Sequence, residues 1–456
     1  MASGIPCYIR LSRWAGIDRA IALTLTGRGW SILCGPMTLF LIASHLKPEE
    51  QGFYYTFGSI LGLQVFFELG LGYVLAQCVS HETADLHWTA KGILEGNPSS
   101  KSRLAALLKL SLRWYMGTAF LMVLTVGMAG FHFFSSGPSL GVHWRVPWLW
   151  LVCTTCLNFI TIPICAVIEG SGLVAQAASL RTSAAVLSTV ALWTSLVCRA
   201  ALLANPVVNT VVLLRSTWFL WGYRRGIRDL LGTQSSASGL SWRRDIWPFQ
   251  WKVSISWLSS YLIFQTFNPI LFRFHGPQAA GQMGMTLSLA TAPASIGVAW
   301  LSTKIPVFGK YAALRDYAHL DRAWLLATFQ SLVVVVCAYG CMAVFVAWLF
   351  VTRHPYASRI LPPIALGLLA ASYMIAHVIF CLTTYLRAHK EDPFYVLSGA
   401  SAVLIAGSSL LLGRRYGAEG ICVGLFTVNL VFVLPVAYSI FLRKRKLWRS
   451  THTPAL

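Results

Sequence analysis

Runs of about twenty or more apolar residues recur along the whole 456-residue chain, and most polar stretches between them are short. A helix needs about 20 apolar residues to cross the hydrocarbon core of a bilayer, where each backbone N–H and C=O must be bonded inside the segment. Such runs fall at roughly 20–43, 53–79, 110–134, 147–168, 173–197, 200–221, 249–272, 278–303, 323–351, 360–386, 394–413 and 418–442. Composition agrees: 56% of the chain is apolar, or about 255 residues, and only 11% is charged. A soluble domain carries about 25% charged residues, and one core stops growing near ~250–300 residues of chain. A soluble enzyme, a nucleic-acid-binding domain and a disordered chain are excluded. The expected fold class is an all-α integral membrane protein of about 12 transmembrane helices.

The net charge of +21 is a topology signal, not a nucleic-acid footprint. Of the 36 Lys and Arg, 23 fall in the set of alternate loops that holds the N-terminus and 8 in the other set. Cytoplasmic loops carry the excess of positive charge, so both termini are expected in the cytoplasm. The two longest loops, about 80–109 and 222–248, lie on that side, and the outer loops are roughly a dozen residues or fewer. Residues 1–19, with Arg10, Arg13 and Trp14, read as an amphipathic interfacial segment and not as a cleavable signal peptide. The tail RKRKLWRS reads as a juxtamembrane basic cluster attracted to anionic membrane lipids.

The eleven cysteines lie within or beside apolar runs. Cys153 and Cys156 form C-x-x-C, and Cys337 and Cys341 stand one helical turn apart, but neither pair has polar neighbours for zinc or redox work. They are expected to be packed thiols, with no disulfide framework, no metal and no cofactor.

A weak internal repeat divides the chain. KPEEQGFYY from Lys47 and GPQAAGQMG from Gly276 occupy equivalent outer loops, with Pro48 matching Pro277 and Gly52 matching Gly281 at an offset of 229. Two six-helix lobes related by an axis along the membrane normal are expected, as in parallel-repeat transporters. The domains are an N-terminal segment (1–19), an N-terminal lobe (20–228), a cytoplasmic linker (229–248), a C-terminal lobe (249–442) and a basic tail (443–456).

Ionisable residues inside spans cost roughly 2.5–3.5 kcal/mol each and are functional candidates by default. Arg28, Glu68, Arg181 and Arg215 lie inside spans, with Glu169, Arg273 and Glu419 nearer span ends. At ~1.5 Å per residue the first four fall roughly 9–16 Å from the cytoplasmic ends of their helices, in one layer of the N-terminal lobe. Three cations against one carboxylate suit an anionic substrate such as a phosphate or diphosphate, which arginine grips in bidentate fashion. Blander readings stand beside this one. Arg28 and Glu68 pair as a structural lock, Arg215 snorkels to the interface, Glu169 ends a helix, and Arg273 sits at the outer interface. Arg181 has no obvious partner. In the C-terminal lobe His377 is either a proton relay or a buried neutral histidine.

The stretch from Arg28 to Gln77 holds an apolar span, an L-x-P-E-x-x-G turn (Leu46, Pro48, Glu49, Gly52) and a glycine-rich second span. RRYGAEGICVG from Arg414 holds a YG-x-x-G turn (Tyr416, Gly417, Gly420). Both resemble polysaccharide-biosynthesis, O-antigen-type flippases of the multidrug/oligosaccharidyl-lipid/polysaccharide (MOP) exporter superfamily. The motif likeness covers about a quarter of the chain and is mostly structural. It implies a MOP/MATE-like transporter fold and translocation of undecaprenyl-diphosphate-linked oligosaccharide across the bacterial inner membrane by alternating access. It further implies H+ or Na+ coupling and work alongside a polysaccharide polymerase and glycosyltransferases. The anion-binding role is carried onto Arg28, Arg181 and Arg215, with Glu68 and His377 as ion-pair or coupling residues. The alternatives are a drug/cation antiporter of the same fold, which wants carboxylates in its cavity, and a membrane polymerase or ligase, which wants a large outer loop.

Overall fold

The computed structural model describes residues 19–83, 85–89, 92–137, 141–233, 242–389 and 393–450. The N-terminal segment expected over 1–19 lies outside them except for Arg19, as do 451–456 of the tail and 234–241 of the linker. The chain runs through α1 (Arg19–His45), α2 (Pro48–Leu61), the one-turn α3 (Val65–Glu68) and α4 (Leu71–Glu82). An antiparallel hairpin follows, β1 (Leu86–Trp88) with β2 (Leu94–Gly96), with Trp88 opposite Leu94. Then come α5 (Pro98–Met122), continued by a π-helical turn into α6 (Met128–Ser135), α7 (Arg145–Gly170), α8 (Val174–Val197), α9 (Ala204–Gly222) and α10 (Arg224–Gly232). The rest is α11 (Trp247–Phe264), α12 (Phe267–Ser302), α13 (Ile305–Ala313), α14 (Tyr317–Val351), α15 (Pro363–Ala388), α16 (Tyr395–Thr427) and α17 (Leu434–Ser450).

Local chemistry sets several of these ends. Pro48 opens α2, where its missing N–H costs nothing, and Glu50 reaches back to the Lys47 N–H at 2.9 Å. Asn97 caps α5 by accepting from the Ser99 N–H at 3.0 Å. Between α3 and α4, Leu69 and Gly70 are both left-handed (φ 51° and 67°), and the helix pair Pro48–Glu68 and Leu71–Glu82 bends by 42° there.

Seven helical runs are each long and apolar enough to cross a membrane, and the bent pair is an eighth. Two of the seven are double. In α12 the chain reverses at Gly276 (φ 88°): Phe53 meets Phe272 and Ser59 meets Asn268 on the way in, while Gly52 meets Pro277 and Tyr55 meets Gly284 on the way out. In α16 it reverses at Gly417 (φ 64°), so that Gly424 lies against Ser408 and Gly413 against Ile421. With α1 and α9, which are less apolar, the described residues form twelve spans.

Two compact units result. The first holds the chain up to Leu41, Leu63–His132 and His143–Ser254, and the second Ile42–Gly62, Phe133–Val142 and Ile255–Leu456. This differs from the single cut expected between the lobes. The reason is α2, whose residues pack on α12: Gln51 donates to the Gly281 carbonyl at 2.8 Å and Asn268 donates to the Ser59 hydroxyl at 3.1 Å. In the first unit the fully buried Trp148 lies on Gly130 and donates to the Gly127 carbonyl at 3.1 Å. A satellite core of Val79, Leu94, Leu104 and Leu230 ties the hairpin and α10 to α4 and α5. In the second unit Leu301, Phe308, Trp324, Tyr385 and Phe441 belong to one apolar cluster near the chain's C-terminal end.

The repeat seen in the sequence is a physical contact. A Cβ on Gly52 would overlap the Pro277 carbonyl, and one on Gly281 would sit 2.9 Å from the Gly52 nitrogen and 3.1 Å from the Pro48 oxygen. Gly52→Ala and Gly281→Ala are therefore expected to cost at least the upper end of the ~1–3 kcal/mol typical of overpacking, read as a lower midpoint of thermal unfolding in detergent. Gly58→Ala, which meets nothing within 4 Å, is expected to cost nothing. Equal midpoints for all three would contradict the crossing.

Candidate functional site

One turn of α8 in the first unit organises the arginines. Arg181, Thr182 and Ser183 are consecutive, so 100° steps around the helix turn each toward a different neighbour. Thr182 donates to the Leu23 carbonyl of α1 at 2.8 Å, and a Cβ on Gly27 would stand 2.9 Å from its hydroxyl. Further along, Trp193 donates to the Thr38 hydroxyl at 2.9 Å, so α1 and α8 run parallel. Arg28, next after Gly27, thus lies within a turn of the level of Arg181; it is exposed and makes no hydrogen bond to other described residues.

Ser183 accepts from Arg215 Nε at 2.8 Å. The Arg215 guanidinium lies 4.9 Å over the Trp218 ring, and its Nη1 is buried with no partner among the described residues. Hydrogen bond and cation–π contact together fix the plane of the group and leave one donor unused. Arg181 makes a bidentate pair with Glu169 of α7, 2.8 Å at each oxygen. This corrects the expectation that Arg181 has no partner; Glu169 stands in the last turn of α7, as expected, and supplies it. The turn between them, with Gly172 at φ 92°, folds α8 back on α7 and brings residues 169 and 181 together. The Arg181 side chain is 58% exposed and that of Glu169 30%, so the pair is open on one side.

Glu68 does not belong to this layer, another correction. It is buried beside Gly72, where a Cβ would lie 3.0 Å from its Oε1, 3.4 Å from the Tyr115 hydroxyl and 2.8 Å from Ile162. Gly170 packs on Val79, so α4 and α7 run parallel, and Glu68 sits at least about 10 Å along the axis from the Arg181–Glu169 level. It makes no ion pair with Arg28. A depth counted along an unbroken helix fails here because the backbone breaks immediately after Glu68.

His377 stands apart in the second unit. Ser331 gives its one proton to the Gly297 carbonyl at 3.0 Å, so its oxygen accepts from His377 Nε2 at 2.8 Å. Nδ1 is buried with no partner among the described residues. The ring stitches α12, α14 and α15 together.

The tail also differs from expectation. Arg445, read with its neighbours as facing lipid headgroups, turns inward to Asp321 at 2.6 Å, and Tyr385 donates to the other Asp321 oxygen at 2.8 Å. Trp448 stacks on His389 with centroids 3.8 Å apart. Asp321, the one acid on the mostly apolar α14, was the available signal. Among the described residues, no three His, Cys, Asp or Glu side chains converge as metal ligands.

No family model and no curated protein matches the sequence. Solved structures do. The lipid II flippase MurJ in an inward closed conformation matches at TM-score 0.65 and 11% identity, over 92% of this chain and 87% of that one. The chain has the fold of MOP-superfamily transporters. An inward-facing multidrug resistance MATE transporter of that superfamily matches at TM-score 0.60 and 14% identity, over 96% of this chain and 100% of that one. The MATE multidrug transporter DinF-BH, in a ligand complex, matches at TM-score 0.59 and 11% identity, over 94% of this chain and 96% of that one.

Arg445→Gln is expected to lower stability by ~1–3 kcal/mol, because it takes the cation from beside a half-buried carboxylate and leaves it the Tyr385 hydroxyl, while the exposed Arg443→Gln is silent. Denaturant unfolding of the two variants checks this; equal stability would return Arg445 to the lipid-facing set.

Proposed function

We propose that this protein is a flippase that carries an undecaprenyl-diphosphate-linked oligosaccharide, or a related polysaccharide precursor, from the inner to the outer leaflet of the bacterial inner membrane. It works by alternating access, with both termini in the cytoplasm, and makes and breaks no covalent bond. The observation that carries this reading is the collection of Arg28, Arg181 and Arg215 around one turn of α8, with Glu169 the one carboxylate paired there. The balance is positive, and each guanidinium is open to a diphosphate in its own way: Arg215 offers an unused N–H, Arg181 an exchangeable partner, Arg28 an unoccupied fork. The MOP fold supports transport as the mode of action, and MurJ is a lipid II flippase by description.

A drug/cation antiporter of the same fold draws support from one feature. Glu68 is buried, lies away from the arginines and has the Tyr115 hydroxyl beside it, as a carboxylate that binds H+ or Na+ requires. Within the flippase reading the same residue serves as the coupling group. Substrate supply by glycosyltransferases and consumption by a polymerase follow from the proposed substrate, and anionic lipids are expected to gather at the exposed basic residues of the cytoplasmic side.

A deletion strain is expected to accumulate lipid-linked units in the inner leaflet. Arg28→Ala and Arg181→Ala, at normal expression, are expected to restore less than a tenth of the wild-type polymer level. Polymer levels and lipid distribution unchanged by the deletion, or full complementation by both variants, would defeat the reading.

A further inference from the structure

The arginines account for a charged head, and all of them lie in the first unit; the second unit contains an uncharged aromatic circuit that the sequence did not announce. The Tyr55 ring of α2 lies flat against α12, where a Cβ on Gly284 would overlap it, with Ser288 beside it. One turn along α2, the Ser59 carbonyl accepts from the Tyr261 hydroxyl of α11 at 3.2 Å. Phe264, a turn further along α11, stacks on Tyr373 of α15 with centroids 6.1 Å apart and planes 11° from parallel. Tyr339 of α14 neighbours Tyr373 and donates to the Ala290 carbonyl at 2.8 Å, returning to α12 just beyond Ser288. Five helices thus contribute to one closed circuit.

Two features of the circuit go beyond packing. Its faces are not sealed: Phe264 is 41% exposed, and Tyr55 and Tyr261 are half-buried. Its hydroxyls are not all used either. Among the described residues the buried Tyr55 hydroxyl has no hydrogen-bond partner of good geometry, the Ser288 hydroxyl being its polar neighbour, and Tyr373 is only 9% exposed. Native interiors rarely leave a group such as the Tyr55 hydroxyl without a well-aligned partner. An acyl chain needs no hydroxyls. An organic cation is drawn to aromatic faces, but no carboxylate stands in the circuit to complete its recognition. A sugar ring matches both features, with an apolar C–H face to lie on an aromatic ring and a rim of hydroxyls to pair with phenolic groups.

We propose that Tyr55, Tyr261, Phe264 and Tyr373 form a saccharide subsite within the second unit, which takes a neutral sugar ring of the lipid-linked substrate. This rests on the flippase reading. The ring lies against Phe264 and Tyr261, and its hydroxyls pair with Tyr55 and Tyr373.

The test is saturation-transfer NMR on the full chain in lipid nanodiscs, with chitotetraose and maltotetraose as probes. Transfer to the ring C–H protons of at least one probe is expected. It should fall at least fivefold in Phe264→Ala at an unchanged unfolding midpoint, survive in Phe264→Trp, and persist in Arg181→Ala. Should Phe264→Ala misfold, Tyr55→Phe removes a single hydroxyl and is expected to weaken binding several-fold. Absence of transfer from both probes, or equal transfer with all variants, overturns the subsite. So does displacement of the saccharide by tetraphenylphosphonium whose own binding depends on Phe264, which would mark a cation cage. Loss of the subsite with the Arg181→Ala transport defect intact refutes this inference alone. Saccharide binding with fully active arginine variants refutes the diphosphate reading instead.

Discussion

Two backbones cross without a side chain between them where α2 meets α12, and the architecture of the second unit depends on that contact. Helices in a bilayer gain nothing from hiding apolar side chains from lipid, so close backbone approach at small residues supplies much of their adhesion. Gly52 and Gly281 provide it here, each occupying space that a Cβ on the other would need. Around the crossing, Gln51 bonds the Gly281 and Arg359 carbonyls, at 2.8 and 3.2 Å, and Phe53 stacks edge-on against Phe272. The contact also decides which residues travel as a unit. Residues 42–62 follow α1 in the chain yet group with the C-terminal half, because their packing lies there.

The first unit is organised differently, by hydroxyls. Thr182 and Ser183 reach out from successive positions of α8, one to a backbone carbonyl of α1 and the other to a guanidinium of α9. Buried charge in a membrane protein must be paired or serve a purpose, and here the pairing is incomplete. Glu169 answers Arg181 alone, while Arg215 is oriented by a neutral serine and the face of a tryptophan. Positive charge is thereby positioned without being cancelled. In the proposed reading, substrate oxygens would meet the Arg215 and Arg181 guanidinium groups with their planes already set, which reduces the ordering cost of binding.

Much of this was legible in the sequence, for physical reasons that can be named. Span-length apolar runs report twelve helices because lipid tolerates little else, and the structure counts twelve by splitting α12 and α16 at Gly276 and Gly417. The 229-residue offset was visible because a close crossing admits only glycine at two matched positions. What stayed hidden depends on angle and on breaks. Depth counting placed Glu68 with the arginines, whereas the left-handed pair Leu69–Gly70 separates it from them. Twelve residues of sequence stand between Glu169 and Arg181, and only the fold-back at Gly172 makes them a pair. Arg445 was indistinguishable from its basic neighbours until Asp321 was seen beneath it. The aromatic circuit assembles from five helices, so no local pattern betrays it.

In the proposed function, the arginine layer recognises a lipid-linked diphosphate and the protein moves it across the bilayer. Proteoliposomes holding the purified chain and a fluorescent undecaprenyl-diphosphate-linked saccharide test this directly, by following the label's loss of protection from an added, impermeant quencher. Faster equilibration than in protein-free vesicles, at least tenfold slower with Arg28, Arg181 and Arg215 all changed to alanine, is the predicted result. Equilibration no faster than in protein-free vesicles, or unaffected by removal of all three arginines, would contradict it.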